Sequence, residues 1–506
     1  MELSSEMAGV TYAELLRAAA PELVLLAAAL LVLAADLVAL RGVSARVRWL
    51  VTGLLSWVGC GAAAAVLVSG AGEEPGRTAI LGFATDGLAV WVKGVVLVLS
   101  ALTVGLAMAA TRTRHVGEYL ALILLGTVGL MLLAGASDLL MVFLALELSS
   151  LVLYVLTGFE KQRPEAAEAA LKYFLVGSVA AGFTLYGMSL VYGVAGTTQL
   201  QALAHDAVGA MAGVTLWAGL VLMLGGLAFK VAAAPFHLWA PDAYEAAPAP
   251  SAALIASGSK VAAFAVLARV LMTGLPQGSG SAAIGSWAPG WTTLLAGFSV
   301  LSLLWGNLAA LVQTNVRRLL AYSAVAHAGY GLLGLIAHER AGLAALLYFA
   351  ATYGLSAVGA FGVVAVVEAH SGGRARLSDF AGLSRRAPGV AVCLMVFLLS
   401  LAGIPPLAGF FGKFYLFLAA LGAGQPLGLL WLVVLAVALS TVSLYYYLVV
   451  LKEAWVKPAP ADTEAESWRL PWQVQLTLWA AALGVLLLGL FPSMVLRSLE
   501  SALASL

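Results

Sequence analysis

Ala228-Phe229-Lys230-Val231-Ala232-Ala233-Ala234-Pro235-Phe236-His237 decides how this chain is read. A lysine closes a long apolar run, and a proline follows five residues later. A second stretch repeats the theme as Gly403-Ile404-Pro405-Pro406-Leu407-Ala408-Gly409-Phe410-Phe411-Gly412-Lys413. Proline removes a backbone donor and clashes with the preceding turn, so Pro235, Pro405 and Pro406 predict helices that unwind at mid-length. Unwound backbone inside a bilayer survives only where protein buries it or water reaches it, so each break predicts a hydrated pocket beside its lysine. Paired interrupted helices are a mark of inverted-repeat transporters.

The rest of the chain fits a bilayer. Of 506 residues, 62% are hydrophobic and 10% charged, with a mean hydropathy of +1.00, outside the range of soluble domains. Apolar runs are expected at 20–41, 47–70, 83–110, 115–134, 138–159, 168–195, 209–234, 249–274, 290–313, 317–337, 341–369, 388–421, 426–451 and 472–497. The fold class is therefore all-α, a polytopic membrane protein of about 14 transmembrane helices. Continuous rather than alternating apolar runs exclude a β-barrel. Connectors such as Gly72 to Arg77, the Gly/Ser-rich Gln277 to Ser286 and the Pro- and acid-rich Lys457 to Pro471 are too short for soluble domains. A net charge of +1 gives no footprint for nucleic acid, and no Lys/Arg cluster is dense enough to suggest anionic-lipid recognition. Cys60 and Cys393 stand alone and the histidines lack ligand spacing, so neither a metal nor an iron–sulfur site is expected in this chain. Glu2, Glu6 and Glu14 against Arg17 are the wrong charge for a signal peptide, so a retained N-terminus is expected.

Lys and Arg in alternate connectors number 16 on one side, among them Arg41, Arg112, Arg163, Arg317, Arg374, Arg386 and Arg469. The other side has 5, namely Arg17, Arg77, Arg269, Arg340 and Arg497. The positive-inside rule puts the first set in the cytoplasm and both termini on the outer, periplasmic side. Five cations then fall within spans, and all are lysines: Lys93, Lys172, Lys230, Lys260 and Lys413. A desolvated lysine can give up its proton, whereas arginine keeps its own, so lysine suits a group that loads and unloads protons. Intramembrane charges are functional candidates by default. Lys93 and Lys172 lie near enough to span ends to snorkel, which makes Lys93 interfacial and Lys172 an accessory.

Glu147, in Leu146-Glu147-Leu148-Ser149-Ser150, precedes Lys230 by 83 residues, and His327 precedes Lys413 by 86. This spacing predicts a single membrane domain over 1–506 holding two inverted five-helix repeats, 115–274 and 290–451. The segments 1–110 and 472–506 flank them. A carboxylate at Glu147 would keep Lys230 charged, and its withdrawal would favour proton release, so a movable partner acts as a switch. Lys260, among Ser257, Gly258 and Ser259, is placed to relay a proton between the halves, and Lys413 to pass it out. Histidine ordinarily titrates near neutral pH, which makes His327 and His237 candidate relays. Asp242 and Glu245 are read either as a proton funnel or as a solvated turn. Asp36, Glu118 and Glu368 are expected at interfaces, and Tyr445-Tyr446-Tyr447 in an interfacial belt or packing surface without chemistry.

Lys230 with Pro235-Phe236-His237-Leu238-Trp239-Ala240-Pro241-Asp242, Ser257 to Lys260, and Gly403-Ile404-Pro405-Pro406 through Lys413 resemble the antiporter-like membrane subunits of NADH-quinone oxidoreductase (respiratory complex I). These subunits share their fold with Mrp cation/proton antiporters. The resemblance runs over essentially all spans and implies proton translocation by Glu147, Lys230, Lys260 and Lys413, in a translocase subunit of the cell inner membrane. It further implies that NADH, FMN, iron–sulfur clusters and quinone belong to partner subunits, and that neighbouring antiporter-like and small membrane subunits surround this chain. Within the family, Lys413 stands where one sister branch typically has glutamate. The chain also ends soon after Phe491-Pro492, where another branch continues into a long lateral helix. A Mrp-type antiporter or membrane-bound hydrogenase subunit is the alternative, and a scaffold with dead channels ranks last.

Overall fold

The structure, a computed structural model, describes residues 12–70, 82–110, 113–206, 213–373, 375–423, 427–458, 468 and 470–504. Gly72 to Arg77, most of Lys457 to Pro471, Arg112 and Arg374, and the acidic residues Glu2 and Glu6 lie outside the described residues. Helices dominate, and strand pairing among the described residues is limited to isolated bridges such as Phe83 with Ala136. Apolar sequence favours helix here because a helix satisfies its own backbone groups where no water does.

Thirteen described helices are long and apolar enough to cross a membrane. Two shorter apolar helices, Pro388–Ala402 and Ala408–Gly422, occupy the expected 388–421 segment. The core sits around Ala249–Gly274, Val316–Ile336 and Arg340–His370, whose apolar windows are 100%, 94% and 94% buried, against 28% for Ala20–Ala39. Lys260 and His327 lie on two of these central helices. The most intimate packing uses small residues: a Cβ on Gly187 would meet the Gly219 carbonyl at 2.5 Å, so Pro164–Ala195 and Val214–Val231 touch backbone to backbone.

Both expected breaks are present. Helix Val214–Val231 ends at Ala232, which takes a left-handed φ of 58°. Helix then resumes at Ala240–Ala246. Side chains of other segments satisfy the freed backbone: Ser302 Oγ accepts from the Ala234 N–H at 2.8 Å, and Trp239 Nε1 donates to the Phe229 carbonyl at 3.2 Å. Pro388–Ala402 ends at Gly403, whose φ of 90° suits glycine. Gly409 N–H donates across this break to Ser400 Oγ at 3.2 Å.

A third interruption goes beyond the two that proline marks. Ala249–Ala256 and Gly258–Ala268 meet at Ser257, with φ −111° and ψ −84°, one turn before Lys260. Ser257 Oγ donates back to the Ala253 carbonyl at 2.6 Å, a local bond that competes with the helical ladder. At the other end of the chain, the expected 472–497 segment is two helices, Trp472–Leu490 and Pro492–Ala502, because Pro492 opens a helix more readily than it continues one.

Candidate functional site

Lys230 occupies the last turn of Val214–Val231 and is 3% exposed. Its ammonium donates to Ser149 Oγ at 3.0 Å and Ser150 Oγ at 2.8 Å, both on Leu139–Thr157. Glu147, on the same helix, stands beyond the 4.0 Å of a contact ion pair with Lys230. It is half-buried beside the exposed Leu144, Leu148 and Leu151. The expected pair is thus a near neighbour across a serine step.

Lys260 is 2% exposed. Its ammonium donates to the Ala324 carbonyl and lies 5.5 Å from the centre of the Tyr353 ring. Lys413 donates to the Ala402 carbonyl at 3.0 Å and Ser440 Oγ at 2.9 Å. That carbonyl stands at the end of Pro388–Ala402, where the helix dipole favours a cation. The Lys413 ammonium also lies 4.7 Å from the Tyr330 ring centre.

His327 sits between these two lysines. Its ring is 4.7 Å from that of Tyr353 and 5.7 Å from that of Tyr330, so the two tyrosines flank it toward Lys260 and Lys413 respectively. Its Nε2 is 3.4 Å from Tyr447 Oη, and Tyr447 also shares a short hydrogen bond with Ser323. His237 is buried beside the first break, its ring 5.6 Å from that of Trp305, with neither nitrogen bonded among the described residues.

Tyr330, Tyr353 and Tyr447 are residues that sequence reasoning missed. Only Tyr445 of the tyrosine run is exposed, at 63%, while Tyr446 and Tyr447 are buried and Tyr446 donates to Asn307 Oδ1 at 3.2 Å. The belt reading fails for those two. A signal existed: Ser440, Ser443 and Tyr447 recur at helical spacing, and of these Ser440 meets Lys413 and Tyr447 meets His327.

Three other expectations also change. Lys93 does not snorkel to solvent but is buried and pairs with the equally buried Glu22 at 2.7 Å. Asp36 is buried against Arg48, which donates two bonds at 2.7 and 2.6 Å, and accepts from the Gly117 N–H. Arg269 lies within the span Ala249–Gly274 and pairs with Asp86 at 2.6 and 2.8 Å, so in-span cations are not all lysines. Lys172 is half-exposed and bridges Glu168 at 2.7 Å and Asp242 at 3.0 Å. Arg318 reaches Asp242 at 2.7 Å and Glu245 at 3.0 Å. Burial raises the Asp242 carboxyl, yet the hydrogen bonds from Arg318 and Lys172 outweigh it and hold the group below the usual carboxylate range.

Comparison with known proteins identifies the family and the fold. NADH-quinone oxidoreductase subunit N 2 of Acidobacterium capsulatum is 49% identical over 97% of this chain and 99% of its own length. Subunit N of Rhodospirillum rubrum is 39% identical over 90% and 91%. Among solved structures, a chain of respiratory complex I from Thermus thermophilus with bound aureothin matches at a TM-score of 0.76 and 35% identity, covering 94% of this chain and 99% of that one. A chain of the Mrp complex from Dietzia sp. has a TM-score of 0.82 at 23% identity, over 97% of each chain, a likeness of fold alone. The profile described as NADH:quinone oxidoreductase/Mrp antiporter, TM, matches residues 136–440, which span both broken helices and every lysine from Lys172 to Lys413. This chain belongs to the NADH:quinone oxidoreductase/Mrp antiporter transmembrane family.

Proposed function

We propose that this chain is subunit N of a proton-translocating NADH-quinone oxidoreductase, moving protons across the membrane while partner subunits carry electrons from NADH to quinone. The observation that carries the reading is the buried series Lys260, Tyr353, His327, Tyr330 and Lys413, whose members lie side by side through the protein centre. Lys230 and its serine pair form the entry, and Lys413 the exit. No side-chain contact among the described residues joins Lys230 to Lys260. The proton crosses that gap through water at the breaks, which is where unwound backbone admits it.

The two halves, 115–274 and 290–451, are read as inverted repeats, with Glu147 and His327 in matching places. Glu147 sits on the exposed side of its helix, where a neighbouring subunit can shift it relative to Lys230. Such a shift would change how strongly Lys230 holds its proton, and this couples distant electron transfer to pumping. The Lys/Arg bias supports the end bearing Arg163, Arg317 and Arg386 as the cytoplasmic one.

Lys230→Ala and Glu147→Ala in the assembled enzyme test the assignment through acidification of vesicles on NADH addition. Pumping should fall at least tenfold with the complex intact, and unchanged pumping overturns the reading. Sodium flux in place of proton flux would favour the Mrp-type antiporter instead.

A further inference from the structure

Among the described residues three arginines are buried: Arg269, Arg317 and Arg386. The first meets Asp86 and the second Glu368, at 2.6 and 3.4 Å. Arg386 is 8% exposed and meets no carboxylate among the described residues. Its Nη2 donates to the carbonyls of Asp379 at 3.0 Å and Ala381 at 2.7 Å, and its guanidinium lies 4.6 Å from the Trp468 ring centre. Its Nε–H has no acceptor. A guanidinium cannot shed its charge, and the one carboxylate whose charge acts on it, Asp379, makes no contact ion pair with it, so its burial is costly unless a closer anion is supplied.

Arg386 lines a cleft of about 220 Å³ with Gly389, Val390, Trp468, Gln475 and Trp479. Helix Pro388–Ala402 starts on its wall without a side-chain cap. Its Gly389 and Val390 N–H groups have no acceptor among the described residues, so the positive end of the helix faces the same space. Donors of this kind, converging with a guanidinium, suit the oxygens of a phosphate. The sequence shows no dense basic cluster, and this arrangement needs none.

Beside the cleft, Leu476, Trp479, Leu483 and Leu487 form an exposed apolar line along Trp472–Leu490. We propose that the cleft binds the phosphodiester headgroup of an anionic phospholipid, whose acyl chains lie along this line. A free phosphate would use the same donors but leave the apolar line bare.

The test uses the full chain in its membrane complex, delipidated in detergent and titrated with phosphatidylglycerol or phosphatidylcholine, with retained lipid counted by mass spectrometry. Arg386→Gln should raise the half-saturating concentration for one phosphatidylglycerol about tenfold, the effect of one lost charge-assisted bond. Because Arg386 also ties the Asp379–Ala381 turn, Gln475→Glu serves as a second variant. It sets a carboxylate in the cleft from an exposed position and should produce the same shift. Unchanged phosphatidylglycerol binding in both variants overturns the proposal, as does an equal shift for phosphatidylcholine. Full displacement of phosphatidylglycerol by inorganic phosphate would overturn the lipid assignment in favour of a free anion.

Discussion

Lys230, Lys260 and Lys413 are held by hydroxyls and main-chain carbonyls, whereas Lys93 is held by the carboxylate of Glu22. On the proposed function, the difference separates a proton carrier from a structural pair. Neutral acceptors solvate an ammonium without demanding that it stay charged, while a buried carboxylate demands a cation opposite. Lys93→Met should therefore destabilise the protein by about 3–5 kcal/mol, since Glu22 is left alone. Lys93→Met with Glu22→Leu should recover most of that loss and pump normally. Yields of assembled complex and vesicle acidification check both, and a double variant that assembles but fails to pump would place Lys93 on the pathway. Tyr447→Phe removes the hydroxyl shared by Ser323 and beside His327, and should slow pumping about fivefold without loss of assembly, as expected for one neutral hydrogen bond. The lysines were legible because a buried charge stands out in apolar sequence. Their partners were not: Glu22 and Lys93 lie on different helices, and no local pattern pairs them.

Helix interruptions were legible where covalent chemistry forces them. Pro235, Pro405 and Pro406 cannot sit silently in a helix, so both breaks could be placed from sequence. Ser257 can sit in a helix, and its break depends on the surrounding packing, which is why the third interruption escaped. Each break lies within about two turns of a buried lysine, and at the second the Ala402 carbonyl beside the break accepts from Lys413 at 3.0 Å. Close packing holds the second break: a Cβ on Gly409 would lie 1.9 Å from the Ser400 carbonyl oxygen, so Ala408–Gly422 must approach Pro388–Ala402 without a side chain. Gly409→Ala should push the helices apart, cost about 1–3 kcal/mol by overpacking, and displace Lys413 from the Ala402 carbonyl. Pumping should fall further than assembly does. Wild-type pumping from an assembled Gly409→Ala enzyme would show that this contact does not position Lys413.

Across the whole molecule, charge is arranged in two ways, with isolated lysines along the middle and ion networks toward the ends. At one end Lys172, Asp242, Glu245 and Arg318 join Pro164–Ala195, Ala240–Ala246 and Val316–Ile336, so the segment after the first break is tied on both sides. Asp242 is the hub. Its carboxyl is held below the ordinary carboxylate range by partners that outweigh its burial. A group whose folded value is depressed stabilises the fold at pH above its ordinary value and loses that contribution as pH falls through the folded value. Asp242→Asn should therefore cost about 1 kcal/mol or less, given the partial exposure of the network, and the cost should stay level from pH 8 to about pH 5. Below that the gap should close, because the wild-type carboxyl then takes up its proton too. Thermal unfolding of wild type and variant across this range separates the alternatives. A constant gap above pH 5 marks Asp242 as a fixed anchor for the first half. A gap that closes between pH 7 and 5 would instead mark it as a group that exchanges protons in the working range, a funnel at the entry to Lys230.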